Sequence, residues 1–288
     1  DIPAFTDYHI FEIHGQNIDW LSAEWGLKNL KFFRDGAAGG PWRYVLFDLD
    51  ACFGQWGTAP GHNALQAALN PPAPSVHSDL LEAFLDNPTF RCGFANRYND
   101  LLNSIFEPAS FESRLLAAAG EMTQVMPRHV DRWDSPVSTG FWLDQVNQIH
   151  LHNTARIAPS RNHLLTAFGW SPAKTVTTSW SPVGGGTVTV NGLPGAWPSW
   201  SGEYFGECPV TLAATPATGF GFTHWTSGAH EGAVWFDASV PFLQASLTTD
   251  DTFEAHFEAC LTGVTFAIAE SATGGMTATA SGAPAPGA

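Results

Sequence analysis

The stretch Trp42-Arg43-Tyr44-Val45-Leu46-Phe47-Asp48-Leu49-Asp50-Ala51-Cys52-Phe53-Gly54 decides how this chain is read. Its apolar run, 44–47, has the character of a buried strand and delivers two acids, Asp48 and Asp50, to its end. Residues two apart on a strand share a face, so both carboxylates are expected to point at one spot. Two carboxylates that close resist joint ionisation unless a cation lies between them. A hard divalent ion with oxygen ligands, such as Mg²⁺, suits that pair. The plain alternative is that Asp-x-Asp only caps a turn or the next helix.

The residues upstream favour chemistry. An apolar segment, 2–13, is expected to be helical. It leads into Asn17-Ile18-Asp19-Trp20, and then Lys28-Asn29-Leu30-Lys31-Phe32-Phe33-Arg34. Asn, Asp and Asn in a loop, followed by a strand pair ending in Asp-x-Asp, suit metal-assisted phosphoryl transfer. One acid orients a hydroxyl nucleophile, while an Asn and a further acid hold the metal on the phosphates.

In this order the residues resemble the spore-coat protein H (CotH) kinase family, an atypical, protein-kinase-like group. The resemblance is carried by Asn17-x-Asp19-Trp20, Lys28-Asn29 with Arg34, Trp42-Arg43, and Phe47-Asp48-Leu49-Asp50 with Phe53-Gly54. It continues through 80–94 and 97–106, at Met126-Pro127-Arg128-His129 with Arg132-Trp133, and through 156–168, so it covers about residues 1–169. It implies transfer of phosphate from ATP, with Mg²⁺ or Mn²⁺, to Ser or Thr of a protein substrate. Asp19 matches the catalytic-loop acid and Asn29 a metal-binding Asn. Asp50 matches the acid of the kinase Asp-Phe-Gly motif, Asp48 a co-ligand or loop brace, and Asn17 a residue that fixes the Asp19 loop. Residues 22–26 read as an insertion between Asp19 and Asn29. The Gly-rich phosphate loop, the strand lysine and its glutamate partner belong before the catalytic loop. Only eighteen residues precede Asp19 here. The expectation is a large-lobe fragment, with weak or no ATP affinity of its own.

Composition narrows the partners. A formal charge of −15 argues against nucleic acid, whose phosphates demand Lys and Arg. It also makes a divalent cation necessary for any approach of ATP. No apolar run approaches the ~18 residues of a membrane span. The four cysteines form no Cys-x-x-Cys. Cys208 and Cys260 either bridge in an exported protein or act as small buried hydrophobes. His150, His152 and His163 read as packed or surface residues, since i and i+2 do not share a helix face.

The expected class is α+β: a mainly helical, protein-kinase-like large lobe at 1–169, then a small β-rich, β-grasp-like repeat domain at 170–260. Ser78 is expected to cap a helix carrying Leu80, Leu81, Phe84 and Leu85. Asn87-Pro88 starts another, whose Phe90, Phe94, Tyr98, Leu101, Leu102 and Ile105 form core. Helices follow at 111–119, 122–133 and 140–157, and Pro159 opens a last one that Gly169 closes. Arg128 and Arg132 read as helix-surface residues. Beyond residue 170 the pattern alternates, and Asn191-Gly192 signals a hairpin. The order of strands resembles the bacterial extracellular repeat related to internalin B-repeats, with Tyr204, Leu212, Phe222, Trp225 and Phe257 as core and an overlong segment 227–241. Trp197 and Trp200 either cover that core or stack on sugar rings. Residues 261–288, rich in Ala, Gly, Thr, Ser and Pro, are expected to be a flexible tail.

That resemblance implies an extracellular or cell-surface bacterial protein, with surface contacts made through the β module. Two other readings stand beside the kinase. One is a non-catalytic scaffold or adhesion protein with a degenerate kinase-like domain. The other is a carboxylate hydrolase pairing Asp19 with Glu24 or Asp50.

Overall fold

The structure is a computed structural model that describes residues 1–21, 28–34, 36, 39–195, 199–230, 238–270 and 276–284. Segment 22–26 with Glu24, Trp197, and part of 227–241 therefore lie outside the described residues. The chain is α+β and divides into two compact units, Asp1–Ala173 and Lys174–Ala288.

The first unit is built round α1 (Ile2–Gly15). The Asp1 carboxylate accepts from the Ala4 amide, and Pro3 sits in the first turn, where its missing N–H costs nothing. Phe5, Tyr8, His9, Ile10, Glu12, Ile13 and His14 are all buried, so α1 is enclosed rather than amphipathic. A hairpin of β1 (Lys31–Arg34) and β2 (Trp42–Val45) follows, with Phe32 opposite Tyr44. Helices α2 (Ala64–Leu69), α3 (Val76–Asp86), α4 (Pro88–Leu102), α5 (Pro108–Met122), α6 (Met126–Trp133) and α7 (Thr139–Phe168) complete the unit.

Several expectations are corrected here. The run 44–47 is not a buried strand: β2 ends at Val45, and Val45, Leu46 and Phe47 are exposed. A two-stranded ribbon has few neighbours, and no described element covers this one's outer face. The α3 cap is Ser75, whose Oγ accepts from the His77 amide, while Ser78 is buried within the helix. Ile105 is exposed and lies beyond the end of α4. Pro159 opens nothing; it sits inside the 30-residue α7. Proline there frees the carbonyl of Ala155, an exposed residue within reach of water. Arg156 and Ser160, on either side, are held by bonds across the unit. Asn87 caps α4 as expected, and Gly169 closes α7 at φ +67°.

The second unit contains β3 (Lys174–Ser181), β4 (Gly186–Val190), β5 (Leu193–Pro194), β6 (Ser199–Tyr204), β7 (Val210–Pro216), β8 (Phe220–Ser227), β9 (Phe242–Ala245), β10 (Asp251–Ala259), β11 (Leu261–Glu270) and β12 (Met276–Pro284). Two four-stranded sheets, ordered β6-β3-β10-β8 and β5-β4-β7-β9, share one core. Strands β3 and β10 run parallel; the other pairs are antiparallel. Alternation places Val176 and Trp180 of β3 inward with Tyr204, Leu212, Trp225, Phe253 and Phe257. Phe222 and Trp200 pack against this core from its edge. Asn191 and Gly192 both take positive φ, the turn that joins β4 to β5.

The tail differs from expectation: residues 261–270 and 276–284 pair as an antiparallel ladder, β11 with β12. Their four threonines, with Val264 and Ile268, are β-formers, a signal that the small-residue content hides. The Cys208–Cys260 bridge is absent. Cys260 is a free, exposed thiol after β10, whereas Cys208 is buried.

Candidate functional site

The site begins where α1 stops. Gln16 takes the left-handed conformation at its C-terminus, and the chain turns sharply through Asn17 to Asp19. Asn17 is buried and doubly engaged. Its Nδ2 donates to Glu12 Oε2 (2.9 Å), and its Oδ1 accepts from the Asp19 amide (3.0 Å). Asn17 thus links Glu12 to the backbone of Asp19. Asp19, half-buried, accepts at Oδ2 from Asn29 Nδ2 (2.9 Å), so the structure brings these two candidate residues together from either side of the segment 22–27.

The Asp50 turn lies alongside. Cys52 N donates to Leu49 O (3.2 Å), which places Asp50 in a tight turn rather than on a strand. Phe53 N donates to Gly15 O (2.7 Å) and Ile18 N to Ala51 O (3.5 Å), stitching that turn to the end of α1 and the start of the Asp19 loop. Asp48 and Asp50 are both exposed, and Asp48 has φ +55°. The period-two argument for a shared face therefore does not apply to them. Gln16, Asn29, Asp48, Phe53 and Trp56 all adopt positive φ, a concentration of left-handed backbone in this region. Non-glycine residues held so are strained, and such strain gathers where loops are over-determined by their surroundings.

Below the loop runs a buried polar network that sequence reading missed. Trp20 Nε1 donates to the Tyr8 hydroxyl (2.9 Å), which stands beside the Glu12 carboxyl. Burial pushes the Glu12 carboxyl up to about 7 and raises Tyr8, with the Glu12 charge adding to the Tyr8 shift. Burial, then the charges of Glu12 and Asp50, push the Cys52 thiol up to about 12, so it is inert. One signal could have found the network: Glu12 is an acid inside an apolar helix, with no Lys or Arg one turn away.

A second set holds the segment after the Asp50 turn. Arg156, fully buried, donates to Ile13 O (3.0 Å), His14 O (3.3 Å), Pro60 O (2.9 Å) and His62 O (2.6 Å). Gln16 Nε2 donates to Ala59 O, Pro60 O and His62 O, and its Oε1 meets His152 Nε2 (2.6 Å). His152 is thus a packed residue, and burial lowers its pKa. This pinned loop borders a cavity of about 660 Å³ lined by Asp50, Gln55, Thr58, Gln145, Gln148 and His152. A larger apolar groove of about 890 Å³, round Ile2, Phe84, Phe90 and Arg97, holds none of the site acids.

Among the described residues, the candidate donors Asp19, Asn29, Asp48 and Asp50 offer carboxylate and carboxamide oxygens. That set matches a hard divalent ion in its chemistry. Among the described residues, no three His, Cys, Asp or Glu side chains gather in a metal-binding group. No described helix is long and apolar enough to cross a membrane. Residues 1–158 match the family described as CotH kinase protein. No curated protein and no solved structure matches the chain.

Proposed function

The chain belongs to the CotH kinase protein family, and from that premise we propose that it is a metal- and ATP-dependent phosphotransferase acting on Ser or Thr of a protein substrate. The observation that carries this reading is the Asp19–Asn29 hydrogen bond, with the Asp50 turn stitched beside it. Asp19 orients the acceptor hydroxyl and takes up its proton. Asn29 and Asp50, with Asp48 as a further oxygen, are the residues that would hold Mg²⁺ or Mn²⁺. A bound ion would screen the nucleotide phosphates from a protein whose formal charge is −15. The remaining contribution is positioning by a rigid loop, with no covalent intermediate on the protein. In this proposal the second unit, with its internalin B-repeat-like order, is a spacer or adhesion module on an extracellular or surface-attached bacterial protein.

The test is incorporation of γ-labelled ATP phosphate into protein acceptors or the chain itself, with Mg²⁺ or Mn²⁺ present. Asp19→Asn and Asp50→Ala are each expected to lower transfer by about a hundredfold or more while the fold stays intact. The rival reading, a non-catalytic scaffold, is favoured by the exposure of Asp48 and Asp50 and by the lack of a three-residue metal group among the described residues. No labelling with either ion would decide for the scaffold, while equal labelling of the wild type and both variants would overturn the roles given to Asp19 and Asp50.

A further inference from the structure

Glu12 is wholly buried, and among the described residues no Lys or Arg pairs with it. An unpaired buried carboxyl is costly. Its Oε1 has no hydrogen-bond partner, its Oε2 accepts from Asn17, and the Tyr8 hydroxyl also interacts with the carboxyl. Asn17 is bound to Glu12 a second time through its backbone, with Asn17 N donating to Glu12 O (3.1 Å).

A carboxamide has two ends of nearly the same shape but opposite hydrogen-bonding sense. Only its partners determine which way round it sits. For Asn17 those partners are Glu12 Oε2, which needs a donor, and the Asp19 amide, which needs an acceptor. If Glu12 stops accepting, the amide loses the contact that keeps Oδ1 towards Asp19.

We propose that Glu12 is the positioning residue of this site: its carboxylate sets the orientation of the Asn17 carboxamide, and through the Asn17 Oδ1–Asp19 N bond it aims the Asp19 side chain at Asn29. The inference rests on the reading of Asp19 as the catalytic acid. The groups facing Glu12 are Tyr8 on its own helix, with Tyr44 beyond it, and Cys52 in the following loop, near Asp50. None supplies a positive charge. With the carboxyl pushed up to about 7, Glu12 alternates near neutrality between a state that only accepts and one that can donate.

The test uses the intact, isotope-labelled chain and follows the Asp19 backbone amide and the Asn17 side-chain amide by NMR across neutral pH. In the wild type both signals are expected to shift together with a midpoint near 7. In Glu12→Gln that titration disappears. Solvent exchange of the Asp19 amide is expected to rise about tenfold, with amides of α4 and α7 unchanged. An Asp19 amide that does not titrate in the wild type overturns the proposal, and that arm needs no variant to fold. So does Glu12→Gln exchange that is unchanged at Asp19 or raised throughout the unit. In the transfer assay, Glu12→Gln is expected to remove the limb near pH 7 from the wild-type profile. Transfer that survives Asp19→Asn ends the reading of Asp19 as the catalytic acid, and the amide measurements then decide the Glu12 tether independently.

Discussion

His9 and His14 lie on α1 with no solvent exposure, and burial depresses both, to about 4 and about 3. His14 Nε2 donates to Asn153 Oδ1 (2.9 Å), and Phe106 stacks on its ring. The unfolded chain, with ordinary histidines, binds more protons on the acid side. Their stability contribution is therefore complete above about pH 6.5 and lost as pH falls towards those depressed values. Glu12 acts in the opposite sense: its raised value favours the fold at lower pH, and that contribution is lost as pH rises through about 7. Comparing the wild type with His14→Gln cancels the Glu12 contribution. The wild-type advantage is expected to shrink by roughly 2–3 kcal/mol between about pH 7.5 and about pH 4.5, read by urea unfolding. Arg156→Leu removes a donor from four carbonyls, of which Pro60 O and His62 O keep Gln16 Nε2, and leaves the space of a buried guanidinium to be refilled. It is expected to cost about 3 kcal/mol or more and to lower the melting of the first unit by about 6–12 °C in a thermal scan. The sequence singled out Asp19, Asn29 and Asn17 through a family resemblance, and hydrogen bonds join them in the structure. It hid Arg156, Gln16 and His152, whose partners are backbone carbonyls or lie more than a hundred residues away. Backbone acceptors leave no mark in residue type.

At the level of elements, caps, turns and most core positions were readable, while the burial of the hairpin was not. Asn87 ends α3 and begins α4, its Oδ1 accepting from the amides of Thr89 and Phe90, with Pro88 in the first turn. Asn87→Ala is expected to cost about 1 kcal/mol, and Asn87→Asp to recover most of it, measured by chemical denaturation. Asn191-Gly192 was equally legible, because a turn with two positive φ values accepts few residues. The run 44–47 misled because hydrophobicity predicts burial only when something covers the strand, and a short hairpin does not bring its own cover. Pro159 misled because proline breaks a helix only when the freed carbonyl has nowhere to turn. The β11–β12 ladder was obscured by Gly, Ala and Pro counts that hid the β-branched residues between them.

Across the whole molecule, a charge of −15 sets the terms on which any polyanion approaches. If the phosphotransferase reading is right, chelating divalent ions is expected to weaken nucleotide binding at least about tenfold. Lowering ionic strength deepens that loss as the screening length grows from ~10 Å towards ~30 Å. Titration of a fluorescent ATP analogue with and without chelator checks this. The long α7 reaches ~45 Å at ~1.5 Å per residue. It spans Thr139–Phe168, and its Arg156 closes the end of α1, the first element of the chain. A ribosome making this protein therefore emits α1 long before the side chain that satisfies its end. The nascent first unit stays unfinished until its closing segment clears the exit tunnel. A premature stop ahead of Arg156 would release a product in which the end of α1 lacks that donor, an early target for proteolytic clearance.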